Sequence, residues 1–192
     1  MPTALLLIAD GSEEIEFVTP YDVLTRAGFS VKSAGVNLEN RTHAVCSRNV
    51  RILPDEPAVQ TMVGATDFDV LILPGGGPGA KTFCDTPEVL DLIRTYRAAG
   101  KVVAFICAAT TALVKSGGDK VKVTSHPSVK AEIEAQGWQY ADEEERVVVD
   151  REVITSRGPG TAILFSLTIV EALVGKGKRE EIAGPMICAS TL

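Results

Sequence analysis

Apolar positions follow two rhythms along this chain. Residues 4–9 (ALLLIA), 68–73 (FDVLIL) and 101–106 (KVVAFI) are short, nearly unbroken apolar runs, which predict strands buried on both faces of a sheet. Residues 29–34 (FSVKSA) alternate and predict a further strand. Between the first and this strand a helix opens at Glu13-Glu14-Ile15-Glu16, runs to about Ala27 and stops at Gly28. The two strands and their helix form a βαβ unit with a right-handed crossover. Pro20 fits best within the first turn of that helix. Ile15, Val18, Tyr21 and Leu24 make one apolar stripe on it, with Phe17 and Val23 off the stripe. The surplus predicts contact on two sides of the helix, one of them with a second copy of the chain.

The rest of the chain continues the alternation. Residues 45–53 hold short strand-like pieces of a hairpin, Pro54 and Pro57 break the pattern, and a short helix follows near Val59. The strand at 68–73 runs into a glycine-rich turn, Pro74 to Ala80. Thr86-Pro87-Glu88 opens a helix to about Ala99, with Pro87 in its first position and Gly100 as its stop. Residues 108–115 predict a helix halted by Gly117-Gly118. A short strand at 122–124, a helix from 128 to 136, and paired strands at 139–140 and 147–149 around the acidic turn 142–145 come next. After a second turn at Asp150-Arg151 and a returning strand at 153–155, Gly158-Pro159-Gly160 leads to a long apolar helix, 161–174, and a charged helix, 176–183. Strands alternating with helices, with no linker, repeat or low-complexity tract, predict one α/β domain over 1–192, a three-layer sandwich around a mostly parallel sheet.

Composition narrows the function. A net charge of −6 and a pI near 5.0 argue against a nucleic-acid surface. No apolar run approaches the ~20 residues that span a bilayer, and the strand at 4–9 leaves no room for a signal peptide. The four cysteines, Cys46, Cys84, Cys107 and Cys188, are scattered without a CxxC pair, so free thiols in a reducing, cytoplasmic setting are expected, with nucleus or mitochondrion as alternatives. The two histidines, His43 and His126, are not spaced for zinc, and no metal or other cofactor is expected.

Cys107 holds the most informative position, between the strand 101–106 and the helix that follows. A side chain there points into the crevice where open α/β sheets bind ligands, as in a nucleophile elbow with cysteine in place of serine. The positive end of the helix dipole predicts an acidic thiol. Against this stands a buried core cysteine, the common fate of a free thiol. Pro74-Gly75-Gly76-Gly77 follows another buried strand, and its N–H groups are candidates, with that of Ala108, for an oxyanion hole. The nucleotide alternative fails: GxGxxG spacing needs glycine at position 80, where alanine stands, and there is no GK[ST]. Glu16 sits after the first strand, at the same sheet end. A carboxylate beside a thiolate repels it, so one of the two carries the proton, and a protonated Glu16 is a hydrogen-bond donor and proton shuttle. His126, in VTSHPS after a strand, completes a candidate nucleophile–base pair. His43, in a polar loop, is an ordinary polar residue.

With these residues in place the chain resembles the DJ-1/PfpI superfamily, in its eukaryotic DJ-1 branch. The matching segments are DGSEEIE (10–16), CSRNVRILPD (46–55), LPGGGPGA (73–80), FICAATTAL (105–113), VTSHPSVK (123–130) and ITSRGPGTA (154–162), in order and at matching spacing. The resemblance implies a flavodoxin-like sandwich and a homodimer. It carries the reactive cysteine onto Cys107, the protonated glutamate onto Glu16 and the histidine onto His126. The backbone donors fall on Gly75, Gly76 and Ala108, and the arginines of the pocket and dimer edge on Arg48 and Arg26. Thr110 replaces the proline frequent three residues after the cysteine, and Leu53 replaces a cysteine usual near the dimer contact. The C-terminal segment matches the DJ-1 branch, which argues against peptidase activity. The implied activity is a cofactor-independent glyoxalase (glyoxalase III) or protein deglycase, acting on methylglyoxal and related carbonyls or on glycated thiols and amines. The competing class is a non-enzymatic stress sensor or redox-regulated chaperone, in which Cys107 is oxidised to sulfinate.

Overall fold

The computed structural model describes residues 1–62 and 67–189. Among these, the strands are β1 (Thr3–Ile8), β2 (Ser30–Gly35), β3 (Ala44–Val45), β4 (Arg51–Ile52), β5 (Val70–Leu73), β6 (Val102–Ile106), β7 (Lys122–Val123), β8 (Gln139–Tyr140), β9 (Val147–Asp150) and β10 (Val153–Ser156). The helices are α1 (Glu14–Arg26), α2 (Gly77–Asp85), α3 (Pro87–Ala98), α4 (Thr110–Ser116), α5 (Lys130–Ala135), α6 (Ala162–Val174) and α7 (Lys176–Ala183). The main sheet has the order β2-β1-β5-β6-β10-β9, parallel throughout except for β9.

Parallel strands covered on both faces need apolar side chains at successive positions. Alternate residues accordingly feed two cores. Leu6, Ile8, Ile72 and Ala104 pack with Phe17 and Leu24 of α1 and Phe165 and Ile169 of α6. Leu5, Leu7, Leu71, Val103 and Phe105 pack on the other face with Phe83 of α2, Leu92 and Tyr96 of α3 and Leu113 of α4. This is the expected three-layer sandwich. The chain steps outward from β1 to β2, then returns past β1 to β5 and β6, so the order reverses between β1 and β5. Ligands of such sheets bind beyond the strand C-termini at that point. The registers Leu6↔Ile72 and Ile72↔Ala104 bring the ends of β1, β5 and β6 level there.

Four local expectations are corrected. Pro20 lies in the middle of α1, not in its first turn. Its missing N–H leaves the Glu16 carbonyl without its helical donor, but its ring is buried with Phe17, Val23 and Leu24, and this packing against α6 holds the helix through. The inward face of α1 is therefore Phe17, Pro20, Val23 and Leu24, whereas Ile15 and Val18 of the expected stripe are 53% and 49% exposed. Next, the glycine-rich turn 74–80 becomes helix α2 from Gly77 onward. Propensity hides this helix; close backbone approach creates it. A Cβ at Gly79 would stand 2.7 Å from Ser12 Oγ, and one at Gly11 would stand 2.6 Å from Pro78 Cβ. Finally, β8 and β9 do not pair with each other: β8 runs parallel to β7, and β9 forms a hairpin with β10 across the Asp150-Arg151 turn.

The opposite end of the sheet is held by Arg97. Its side chain is 9% exposed and meets Glu152 Oε1 at 2.9 Å. It also donates to the carbonyls of Gly117 at 3.3 Å and Asp119 at 2.8 Å, tying α3 to the loop after α4 and to the β9–β10 turn. Breaking a buried pair by removing one partner typically costs about 3–5 kcal/mol. Arg97→Ala is expected to lose about 3 kcal/mol in urea unfolding, since Glu152 retains some solvent; a loss below about 1 kcal/mol would place the pair among ordinary surface bridges.

Candidate active site

Strand β6 ends at Ile106 and the chain turns sharply at Cys107, whose φ is +65°. That left-handed conformation carries strain of about 1–3 kcal/mol for a residue with a Cβ. Neighbouring hydrogen bonds fix it: His126 N–H donates to the Cys107 carbonyl at 3.3 Å, Thr110 Oγ1 to the Thr124 carbonyl at 3.1 Å, and Thr111 Oγ1 to the Ala108 carbonyl at 2.7 Å. The elbow expected from sequence is present. It opens with a 3-10 turn, Cys107–Ala109, before α4 begins at Thr110.

The loop after β5 closes over the elbow. Only glycine fits at position 75, because a Cβ there would lie 2.5 Å from both Cys107 Cβ and Glu16 Oε2. Gly76 has φ +86°, and a Cβ on it would stand 2.1 Å from the Gly11 carbonyl oxygen. These two glycines do different things. Gly75 N–H is committed to Glu16 Oε2 at 2.7 Å. The N–H groups of Gly76 and Ala108 pull the Cys107 pKa down. Gly76 and Ala108 thus act on the sulfur, while Gly75 N–H is taken by the acid.

Glu16 comes from the first turn of α1, where the Glu13 carboxylate caps the helix by accepting its N–H at 2.9 Å. Its carboxyl is buried close to the Cys107 thiol, and Oε1 has no hydrogen-bond partner among the described residues. Burial pushes its pKa up to about 7, against the lowering pull of Gly75 N–H and the thiol. Cys107 is pushed up to about 12, first by burial and then by the Glu16 charge, against the N–H groups of Gly76 and Ala108. The expectation of an acidic thiol is corrected. The dipole of a seven-residue helix entered through a 3-10 turn does not outweigh burial beside a carboxylate. The two groups titrate as a pair that loses its first proton near 7. A thiolate forms at neutral pH when the remaining proton sits on Glu16.

His126 lines the same crevice as Glu16 and Cys107. Its Nδ1 accepts from Ser128 N–H at 3.2 Å and contacts Ser128 Oγ at 2.8 Å, contacts that hold the ring and do not use Nε2. Arg48 is also at the rim. Its backbone turn is held by a residue that sequence reading passed over: buried Glu14 accepts from Ser47 Oγ at 2.8 Å and from the N–H of Arg48. Burial raises the Glu14 pKa, but these hydrogen bonds prevail and leave it below the ordinary carboxylate value. Arg26 is not brought to the crevice. It lies in the last turn of α1, where it pairs with Asp22 at 2.6 Å in solvent. Thr111 and Cys84 do line the crevice. Thr111 gives its proton to Ala108, so the Cys84 thiol at 3.4 Å is the donor between them. Thr111 lies in the first turn of α4, just past the elbow. The crevice encloses about 690 Å³, ample for small ligands.

A thiol held between two backbone donors and a buried, readily protonated carboxyl, at the switch point of a doubly wound sheet, has counterparts among known proteins. The DJ-1/PfpI family model matches residues 2–172. Protein dj-1beta of Drosophila melanogaster is 43% identical over 188 residues, covering 97% of each chain. The glutathione-independent glyoxalase DJ-1 of Schizosaccharomyces pombe is 38% identical, over 93% of this chain and 94% of its own. The crystal structure of Drosophila melanogaster DJ-1beta superposes with a TM-score of 0.91 at 42% identity, covering 98% of each chain. The chain belongs to the DJ-1/PfpI family, and its fold is the flavodoxin-like sandwich of that family.

Proposed function

We propose that this protein is a cofactor-independent glyoxalase that converts methylglyoxal to lactate, with the same chemistry available to hemithioacetals and aminocarbinols of glycated thiols and amines. The observation that carries this is the buried Glu16–Cys107 pair, coupled in titration near the N–H groups of Gly76 and Ala108, with Glu16 Oε1 unpartnered among the described residues. The name of the Schizosaccharomyces pombe relative supports it. The Cys107 thiolate adds to the aldehyde carbon, forming the C–S bond, and the oxyanion, held by Gly76 and Ala108 N–H, takes the Glu16 proton. Glu16, now a carboxylate, removes the hydrogen from the same carbon as a proton and returns it to the neighbouring carbonyl carbon, while the hydroxyl proton on the first carbon's oxygen passes to the oxygen of the second. The first carbon is thereby oxidised to a thioester and the second reduced to an alcohol. Water attacks the thioester with His126 accepting its proton, and lactate leaves as the thiolate re-forms. The net change is addition of one water, with no external oxidant or reductant. Lactate formation from methylglyoxal by the purified protein, without glutathione, tests the proposal. Absence of lactate together with selective oxidation of Cys107 would favour a redox sensor instead.

The working unit is taken as one domain, paired in a homodimer and located in the cytoplasm, where free thiols persist. Among the described residues no helix is long and apolar enough to cross a membrane. The dimer is inferred from the outward apolar residues: Ile15 and Val18 on α1, Val50, and Leu53, the last 73% exposed. Val18 and Leu53 line a groove of about 450 Å³ together with Phe17, Tyr21 and Ile52. Contiguous exposed apolar surface of this kind marks an interface. Light scattering is expected to give twice the chain mass of 20.3 kDa, and Val18→Asp with Leu53→Asp to give the single mass. A wild-type monomer at micromolar concentration would remove the dimer.

A further inference from the structure

Gly158 lies in the turn between β10 and α6, and the mechanism has not used it. A Cβ built on it would stand 3.7 Å from His126 Cδ2 and 4.0 Å from Glu16 Oε1. Its two chain neighbours aside, no other atom of the described residues comes within 4 Å of it. The bare α-carbon therefore opens a space between the two side chains expected to move protons. Glu16 Oε1 faces this space buried and without a partner among the described residues. An orphaned carboxyl oxygen of this kind costs about 1–3 kcal/mol, which a ligand atom would relieve.

Backbone conformation does not demand glycine here. Gly158 has φ 174°, an extended value open to any residue, unlike the left-handed glycines at 76 and 117. The turn is nonetheless rigid: Thr161 N–H donates to the Gly158 carbonyl at 2.8 Å, and Gly158 N–H donates to Thr161 Oγ1 at 3.1 Å. An added methyl would make ordinary contacts and find a backbone unable to retreat. What glycine contributes here is the volume it leaves vacant.

We propose that Gly158 is a specificity-determining residue: the space left by its missing side chain is the slot for the substituent on the second carbonyl carbon of the substrate. This rests on the glyoxalase assignment and deepens it. With the thiolate bonded to the aldehyde carbon and its oxygen on Gly76 and Ala108 N–H, the adjoining carbon must come beside Glu16 Oε1 to receive its proton. Its remaining substituent then points toward Gly158 and His126. That substituent is a methyl group in methylglyoxal and a hydrogen in glyoxal. A Gly158→Ala methyl would occupy the place of the first and spare the second.

The test compares methylglyoxal and glyoxal on wild type and Gly158→Ala, with thermal melting alongside. Losing room for one methyl group changes specificity about 10-fold to 200-fold. The kcat/KM ratio of methylglyoxal to glyoxal is expected to fall by about tenfold or more in Gly158→Ala, with the melting temperature unchanged. An unchanged ratio, whether both substrates slow together or neither does, overturns the slot. The same shape is read without turnover from displacement of chloride by Cys107 on chloroacetaldehyde and on chloroacetone, which carries a methyl in place of hydrogen on the carbon next to the reacting one. Gly158→Ala is expected to lower the rate ratio of the second reagent to the first, and an equal ratio in both proteins overturns the slot as well. A wild type that makes no lactate but keeps this labelling difference ends the glyoxalase assignment and leaves the slot standing.

Discussion

Cys107→Ala is expected to abolish lactate formation, while Cys46→Ala, Cys84→Ala and Cys188→Ala keep most of it. Acidity does not single out Cys107, since burial raises its pKa and also that of Cys46, the latter to about 11. Position does. Of the four thiols, only Cys107 sits at the elbow under the N–H groups of Gly76 and Ala108 with Glu16 in contact. Cys46 is buried near Asp10, Glu13 and Glu14, with no comparable donors. Cys84 shares the crevice, but its proton is directed at Thr111 and away from the carboxyl, so its removal should trim the rate without ending it. Steady-state assays on the four variants decide this, and lactate production by Cys107→Ala near the wild-type rate would end the nucleophile assignment. A stability readout separates the elbow from the chemistry. Because Cys107 has φ +65°, Cys107→Gly should melt above Cys107→Ala, the relief being about 1 kcal/mol or more.

The central strands were legible in the sequence for a simple reason. β1, β5 and β6 are covered on both faces, so their buried residues are consecutive and appear as unbroken apolar runs. Cys107 and Glu16 were legible because each follows such a run, and the C-terminal ends of central strands converge. Helix α2 was hidden, since Gly77, Pro78 and Gly79 are poor helix formers placed there by contact with Ser12 and Gly11, distant in sequence. The inward face of α1 was misassigned because Pro20 counts among its buried residues and Ile15 and Val18 face outward. That one of the two groups carries the proton was legible from their mutual repulsion, but the raised pKa of the thiol was not. A helix dipole can be inferred from sequence; the burial of Glu16 and Cys107 against each other cannot. Gly158 shows the same limit, since its neighbours Glu16 and His126 come from helix α1 and from the loop after β7 and meet it through topology alone.

Glu16→Gln is expected to move three measurements in different directions. Lactate formation should fall by about 10²–10⁴-fold, the usual contribution of a general acid–base group. Alkylation of Cys107 at neutral pH should speed up, because the Glu16 charge that raises the thiol pKa is gone. Stability should shift with pH in a set sense. A carboxyl whose folded pKa is raised from 4.5 to about 7 gives the fold stability that is complete below 4.5 and lost as pH rises through about 7. The wild type therefore weakens across that window and the neutral glutamine does not. The full lift corresponds to about 3 kcal/mol at 1.36 kcal/mol per unit, so Glu16→Gln should melt well above wild type at pH 8, and the gap should close toward pH 4. The rate profile of the wild type carries the matching sign. With both protons present the pair is inactive, so kcat/KM should rise with pH through about 7, as the first proton leaves and the thiolate beside neutral Glu16 becomes available. A Glu16→Gln protein with wild-type turnover would reduce Glu16 to an acid that merely starts a helix. A protein with lost turnover and slower alkylation would show instead that the carboxyl helps ionise the thiol, the reverse of the repulsion that burial imposes here.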